Sequence, residues 1–595
     1  MSRPKTIQEL IHWLEVGAGA RVIMFAAVLA VTATLSLRVA WVQFHGPASE
    51  MTLLQADTGR QLARGEGFTT LVNYPQTVAF FQKRGVPFDP NRPYPELHQA
   101  PFYSIVIAAA LRVLPVHTRE SLFAAAPVPP DGFAADYFLL GINLLLFWLA
   151  AGLTFALARR LFDARTGWLA ALALLVSVAA WQQTVSLDGT PLLMVLVLAA
   201  FWILARIEGV GEGRMAPGWS AALGAVCGLL FLTEYSAGAL VLVVLGHMAW
   251  HSEGRARWMA LALVTAGFAV VTAPWIARNI LLTGNPVALA AQNVALKFGD
   301  STAEPASQRT FLTATAPEVD LNKLGNKVLT SLQENLKSRL WSGGGMWLTA
   351  FFVAGWLYAF RSAAANRLRW TFTVALGVLL VAQAAFNSGE SERLVPYWLA
   401  PLIMIFGAGF FFVLLGSNAV LGAWPRASAA VLLIVQALPL AHDALEPRRL
   451  HFNYPPYFPG LFIGMGHELE RRDETSRFGL MADVPAGMAW YGRQRVWAQP
   501  VKMRDFYAVT LEQPLAELLL TPRTLDRPFF TELASRPAPP GSLQPVANRF
   551  GDWGLIYGGL FTGKLPPEFP LSAPQRLAEN LYVMLNPALP PARGK

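Results

Sequence analysis

Carboxylates and cations stand at the points where long apolar runs end. Glu50 follows the first run, in Ala48-Ser-Glu-Met51, and Asp57 lies seven residues further on, on the same face if the stretch is helical. Asp188 immediately precedes another run, in Ser186-Leu-Asp-Gly-Thr-Pro191, and Glu234 occupies the turn Leu232-Thr-Glu-Tyr235. Lys83-Arg84, Arg278 and Arg393 sit in loop segments beside runs. These types suit group transfer from a phosphate-bearing donor held near a membrane. A carboxylate takes the proton of an acceptor hydroxyl or amine. Cations stabilise the phosphate that leaves, and Arg matches phosphate oxygens with a planar fork. Each residue also has a plainer reading. Asp188 can cap the helix that opens with Pro191, Glu50 can be a solvated loop charge, and the cations can be interfacial anchors. Chemistry is expected from the constellation, not from any single member.

The elements that must position this set are membrane spans. The chain has 595 residues, 54% of them hydrophobic and only 14% charged, against roughly 25% charged in soluble domains. The apolar residues fall in blocks near the roughly 20 residues that cross a bilayer. Eleven spans are expected: Val22–Phe44, Tyr137–Leu157, Trp168–Trp181, Pro191–Ile207, Trp219–Leu232, Ala237–Trp250, Trp258–Trp275, Met346–Phe360, Trp370–Phe386, Leu394–Leu415 and Ala427–Leu440. The first is too long for a signal h-region and lacks a small-residue cleavage site, so it reads as a retained span. The net charge of +9 does not call for nucleic acid. Its Arg residues cluster in short loops, as the positive-inside rule requires. The single cysteine, Cys227, excludes an intrachain disulfide and a Cys-rich metal site.

With residues 1–21 in the cytoplasm, the Arg-rich junctions (Arg159–Arg165, Arg206–Arg214, His251–Arg257, Arg361–Arg369 and the Arg426 loop) also fall inside. The long segments 45–136 and 276–345 and the last 150 or so residues then fall outside. Pro101–Leu114 is also apolar. Counting it as a span would invert every later loop, so it reads as an interfacial helix within the first outer loop. The expected organisation is an all-α polytopic domain over 22–445, followed by an outer α/β domain over 446–595. In the latter, Phe478–Met481, Arg495–Ala498 and Leu518–Leu520 read as strands and Phe530–Ala534 as helical.

There is no Walker loop, no GxGxxG after a strand, no HExxH and no Gly-x-Ser-x-Gly. What the first outer loop does contain is Glu50-Met-Thr-Leu-Leu-Gln-Ala-Asp57, then Gly65-Glu-Gly67-Phe68, then His98-Gln-Ala-Pro101-Phe-Tyr103. Asn143 in an apolar span, Ser186-Leu-Asp188, Leu232-Thr-Glu234, Ala273-Pro-Trp-Ile-Ala-Arg-Asn279 and Arg393-Leu-Val-Pro396-Tyr397 follow in order. Over about residues 20–415 this series resembles the GT-C membrane glycosyltransferases, and within them glycosyltransferase family 39, the protein O-mannosyltransferases and bacterial aminoarabinose transferases. The match departs at the first acid, Glu50 where the family usually has Asp, and at Glu234, where the aminoarabinose group often carries Lys.

The resemblance implies a GT-C fold and inverting transfer from a polyprenyl-phosphate sugar to a lipid, glycan or protein acceptor at the outer face. It assigns the base to Glu50, with Asp57 in reserve, and to Asp188 the orientation of the acceptor or of a base partner. Substrate binding falls to Lys83, Arg84, His98, Glu234, Arg278 and Arg393. Some members use a divalent cation, and the sequence leaves that requirement open. The bacterial inner membrane is the expected location. A lipid-linked substrate transporter would need paired repeats and charges at mid-membrane, which are not seen. A polysaccharide ligase or polymerase would depend on late-loop basic residues and tolerate loss of Glu50.

Overall fold

The computed structural model describes residues 18–47, 49–124, 132–209, 217–295, 309, 312, 319–386, 393–417, 423–447, 459–473, 477–500, 503–521, 565, 569–572, 574–578 and 581–588. It is a mainly helical membrane protein. All eleven expected blocks are helical, but their lengths divide them. Among the described residues, seven helices are long and apolar enough to cross a bilayer: Phe25–Gln43, Ala134–Leu161, Thr190–Glu208, Gly254–Thr283, Ala363–Phe386, Ala400–Ser417 and Pro425–Leu445. The third expected span is a pair, Ala164–Leu175 and Val178–Val185, bent by 54°. Ser177 causes that break by capping a new helix, its hydroxyl accepting from the Ala180 amide at 3.4 Å. Pro217–Thr233, Tyr235–His251 and Met346–Leu357 are apolar but shorter. The expected eleven is therefore met by seven helices of spanning length, or eight with the bent pair.

The bundle exposes its outermost helices. The helix Ala18–Gln43 presents Leu29, Val31 and Leu37, and Gly254–Thr283 presents Val270 and Leu281. Apolar faces of this extent fit lipid rather than water. At the centre, Thr190–Glu208 and Ala400–Ser417 are largely enclosed. Helices Pro217–Thr233 and Gly254–Thr283 meet through glycines. A Cβ built on Gly224 would lie 2.0 Å from the Val264 carbonyl oxygen, and one on Gly267 2.1 Å from that of Ala221. Small residues at such contacts let backbones approach and gain dispersion contacts where the bilayer supplies no hydrophobic drive.

The first long loop is itself folded. Ser49 caps the amphipathic helix Glu50–Arg64, and Gly65 ends it in the left-handed region at φ 93°. Pro75–Lys83 and Phe102–Val113 follow. The latter is the expected interfacial helix, and at 12 residues it is about 18 Å long, too short to span.

The C-terminal region forms a six-stranded mixed sheet, ordered Val72–Asn73, Val496–Ala498, Gly479–Ala482, Leu515–Leu520, Leu581–Leu585, Gln575–Ala578. The first four strands are parallel, Leu581–Leu585 runs antiparallel to them, and Gln575–Ala578 runs antiparallel to Leu581–Leu585. Leu515–Leu520 is buried at every position, as a parallel strand covered on both faces must be. The three expected strands are present. Their sheet, however, recruits an edge strand from the first loop, which sequence reasoning assigned to a different domain. Phe530–Ala534 lies outside the described residues.

Candidate active site

Glu50 opens its helix in a half-buried position, with the Tyr74 hydroxyl 3.5 Å from its Oε1. About a turn and a half along the same helix, the side chain of Gln55 accepts a hydrogen bond from Arg393 Nη2. Arg393 is buried and also faces the Thr233 carbonyl at 3.4 Å and Glu234 Oε2 at 3.7 Å. Its own carbonyl accepts from Gln383 Nε2 at 2.7 Å, and Gln383 Oε1 accepts from the Val395 amide at 2.8 Å. This clamp fixes the guanidinium at the mouth of the span that follows.

Asp188 belongs to the same buried cluster. Its carboxylate accepts from the Thr190 amide at 2.9 Å and the Thr190 hydroxyl at 3.0 Å. The capping role and the charge role therefore coexist. The backbone here is strained: Leu187 takes φ 64° and Gly189 φ 78°, conformations costly for a non-glycine residue and concentrated at functional sites. Tyr103 holds the turn, donating towards the Leu187 carbonyl at 3.0 Å and Asn143 Oδ1 at 2.9 Å. A Cβ on Gly189 would meet the Tyr103 ring at 2.9 Å. Burial pushes the pKa values of Asp188 and Glu234 upward, and the charge of Arg393 pulls both back down.

A second group lies beside Glu50. His98 is buried, edge-on to Tyr74 with ring centroids 5.8 Å apart, and its Nε2 lies 3.5 Å from the Thr77 hydroxyl. Burial, and then the charge of Arg309, hold its pKa well below the ordinary imidazole range, so the ring is neutral at neutral pH. Glu96 accepts from the His98 amide at 2.6 Å through Oε1. Its other oxygen is buried without a hydrogen-bond partner among the described residues. Burial raises the Glu96 pKa against the opposing charges of Arg309 and Arg278. Arg278 lies on the last turns of Gly254–Thr283, not in a loop. It stacks on Trp275 at 4.4 Å and Phe68 at 5.3 Å and donates to the Phe68 and Glu96 carbonyls at 3.3 and 3.2 Å.

The structure thus brings Asp188, Glu234 and Arg393 together, sets Glu50 on the helix that joins them, and places His98 and Arg278 around Glu96. Three expected residues stand elsewhere. Asp57 is fully buried and pairs with Arg60 at 2.6 Å, while accepting from the Thr70 hydroxyl at 2.9 Å and the Leu71 amide at 2.8 Å. That geometry is a structural lock. Lys83 is exposed at the end of its helix. Arg84 is exposed over the Phe80 ring at 4.7 Å and donates to the Leu281 and Leu282 carbonyls at the end of helix Gly254–Thr283. Sequence reasoning missed Gln55, Tyr74, Glu96 and Arg309. Gln55 and Glu96 carried a local signal, a polar residue in a motif-bearing helix and an acid two places before His98. Arg309, remote in the second long loop, carried none.

Among the described residues, the three His, Cys, Asp or Glu side chains close enough to share an ion are Glu208, His247 and His251, outside the cluster of Asp188, Glu234 and Arg393.

No protein-family model and no curated protein matches the sequence. Solved structures do. The oligosaccharyltransferase of Archaeoglobus fulgidus, in complex with zinc and sulfate, superposes with a TM-score of 0.52 at 12% identity, over 83% of this chain and 67% of that one. ArnT from Cupriavidus metallidurans, bound to undecaprenyl phosphate, gives a TM-score of 0.49 at 14% identity, over 96% of this chain and 99% of that one. The chain shares its fold with the Archaeoglobus fulgidus oligosaccharyltransferase.

Proposed function

We propose that this chain is a GT-C glycosyltransferase that moves a sugar from a polyprenyl-phosphate donor to an acceptor at the outer membrane face. The observation that carries the reading is the convergence of Gln55 from the Glu50 helix with Asp188, Glu234 and Arg393 at one end of a GT-C bundle. Motifs far apart in sequence meet there.

Glu50 takes the proton from the acceptor hydroxyl or amine as that atom attacks the anomeric carbon. The carbon–oxygen bond to phosphate breaks, and the electron pair leaves on the phosphate. Arg393 stabilises the developing charge from within the cluster, and Arg278 does so from the loop side. In-line attack inverts the anomeric centre. Asp188 and Glu234 orient the acceptor and fix Arg393. His98, neutral, exchanges a hydrogen bond with a sugar hydroxyl, and the unpartnered oxygen of Glu96 faces the same task. Lys83 and Arg84 fit interfacial anchoring better than phosphate binding. No step is assigned to a metal ion.

Orientation rests on charge. Arg159 and Arg160, Arg206, Arg255 and Arg257, and Arg361 to Arg369 flank the helix ends opposite this cluster, so those ends belong in the cytoplasm and the cluster and C-terminal domain outside. A bacterial inner membrane suits that arrangement.

The test is transfer of radiolabelled sugar from synthetic polyprenyl-phosphate donors in membranes, with parent and variants at matched expression. Glu50→Gln is expected to lower transfer by about 10²–10⁴-fold, the usual contribution of a general base. An active parent whose Glu50→Gln and Asp188→Asn variants transfer normally overturns the mechanism and favours a ligase that relies on basic residues.

A further inference from the structure

A second cluster sits at the opposite end of the bundle. Glu208 is the last residue of Thr190–Glu208, the helix that Asp188 precedes, so the two clusters are about 28 Å apart along one helix. His247 and His251 lie four residues apart on Leu240–His251, hence on one face. One carboxylate oxygen and one nitrogen from each ring lie within 4.8 Å of one another. Glu208 Oε1 is 3.0 Å from His247 Nε2.

The surrounding bonds place one ring hydrogen and leave the other to the cluster. His251 Nδ1 is 3.1 Å from the His247 carbonyl, which can only accept, so Nδ1 carries the hydrogen and the neutral ring keeps its lone pair on Nε2. The Thr371 hydroxyl lies 2.7 Å from His247 Nδ1 and 3.0 Å from the Arg367 carbonyl. It can accept from Nδ1 while donating to that carbonyl, which frees the His247 Nε2 lone pair. His247 Nε2 meets the Glu208 carboxylate oxygen at 3.0 Å, a contact that holds a proton or a metal cation.

The rest of the geometry favours a metal over a proton. Arg367 donates to Glu208 Oε2 through both Nε and Nη2, which leaves Oε1 as a single ligand oxygen. Thr371, Arg367 and the His247 carbonyl are the outer partners that orient metal-bound imidazoles and carboxylates. Two imidazoles and one carboxylate with an open fourth position is a zinc ligand set. A cavity of about 630 Å³, lined by His247, His251, Arg367, Trp250 and Trp370, adjoins the cluster and provides a route of entry.

We propose that Glu208, His247 and His251 bind one zinc-class divalent cation that clamps helix Thr190–Glu208 to helix Leu240–His251, remote from the transfer site and independent of its chemistry. The full chain, purified in detergent and stripped with chelator, is titrated with Zn²⁺ and Co²⁺. The expected results are saturation at one equivalent, a tetrahedral Co²⁺ absorption band and a zinc-dependent rise in Tm. His251 is exposed, so His251→Ala leaves the fold intact and should abolish the band and the rise. Thr371→Val, which removes an outer partner, should weaken affinity about 10–100-fold. His98→Ala, in the outer cluster, should change neither. The proposal fails if the parent shows neither a Co²⁺ band nor a zinc-dependent Tm rise, in which case the triad holds only a proton. It fails equally if binding survives His251→Ala.

Discussion

At Glu50, Asp57 and Asp188 three carboxylates that look alike in sequence have three different surroundings. Glu50 is half-buried beside Tyr74. Asp188 is buried and faces Arg393. Asp57 spends both oxygens on Arg60, Thr70 and Leu71. Substitution should separate them. Asp57→Asn is expected to lower Tm while transfer per folded molecule persists, whereas Glu50→Gln leaves Tm near the parent value and removes transfer. Melting in detergent beside transfer in liposomes measures both. Arg393→Lys keeps the charge but cannot serve Gln55, Thr233 and Glu234 together. Transfer should fall by about 10²–10³-fold, the scale of a lost charge stabiliser, seen as a drop in kcat measured at saturating donor. The sequence made these residues candidates through their position at span ends. The family resemblance put Glu50 ahead of Asp57, but spacing alone could not separate them, because helical spacing puts both on one face and only the tertiary fold supplies Arg60's other partners, the carbonyls of Ala489 and Trp490.

Helices and strands were legible to different depths. The apolar blocks located each helix of spanning length among the described residues, since burial in lipid needs only length and composition. They could not tell a full span from a short helix such as Met346–Leu357, because a local cap or turn decides where a helix stops. Nor does composition reveal the glycine contact between Pro217–Thr233 and Gly254–Thr283. Gly224→Val would drive its side chain into the Val264 carbonyl, and a cost of about 1–3 kcal/mol is expected for such overpacking, read as a lower Tm. In the strand Leu515–Leu520, Glu517 is a buried acid in an apolar run. Burial pushes its pKa up to about 7; the charge of Arg472 offsets part of the rise and that of Glu468 adds to it. A folded-state pKa above the ordinary 4.5 means the protonated form is favoured by folding. The associated stability is full below about pH 4.5 and is lost as pH rises through about 7, a span of about 3 kcal/mol. Glu517→Gln should flatten that slope and raise Tm at about pH 8, which thermal unfolding across pH checks directly.

On the scale of the whole molecule, the two expected domains are fastened together at the loop that carries the candidate base. The strand Val72–Asn73 extends the C-terminal sheet in parallel with Val496–Ala498. Arg60, on the Glu50 helix, donates to the carbonyls of Ala489 and Trp490 at 2.7 and 2.8 Å and packs against the Trp490 and Phe123 rings. Asp136, at the start of the second span, accepts from Trp490 Nε1 and the Tyr491 hydroxyl, each at 2.8 Å. None of these contacts joins neighbours in sequence, so a reading by segments divides at residue 446 what the fold unites. The C-terminal region therefore packs directly against the helix that carries Glu50. Arg60→Ala strands Asp57 as a buried unpaired carboxylate and should cost about 3–5 kcal/mol. The loss should be local: amide exchange should quicken over Glu50–Arg64 and Pro485–Gly492, while the central helices Thr190–Glu208 and Ala400–Ser417 stay protected. Transfer should fall in step with the exchange of the Glu50 helix. If exchange instead rises uniformly through the bundle, Arg60 supports global stability and the C-terminal domain has no particular hold on the site.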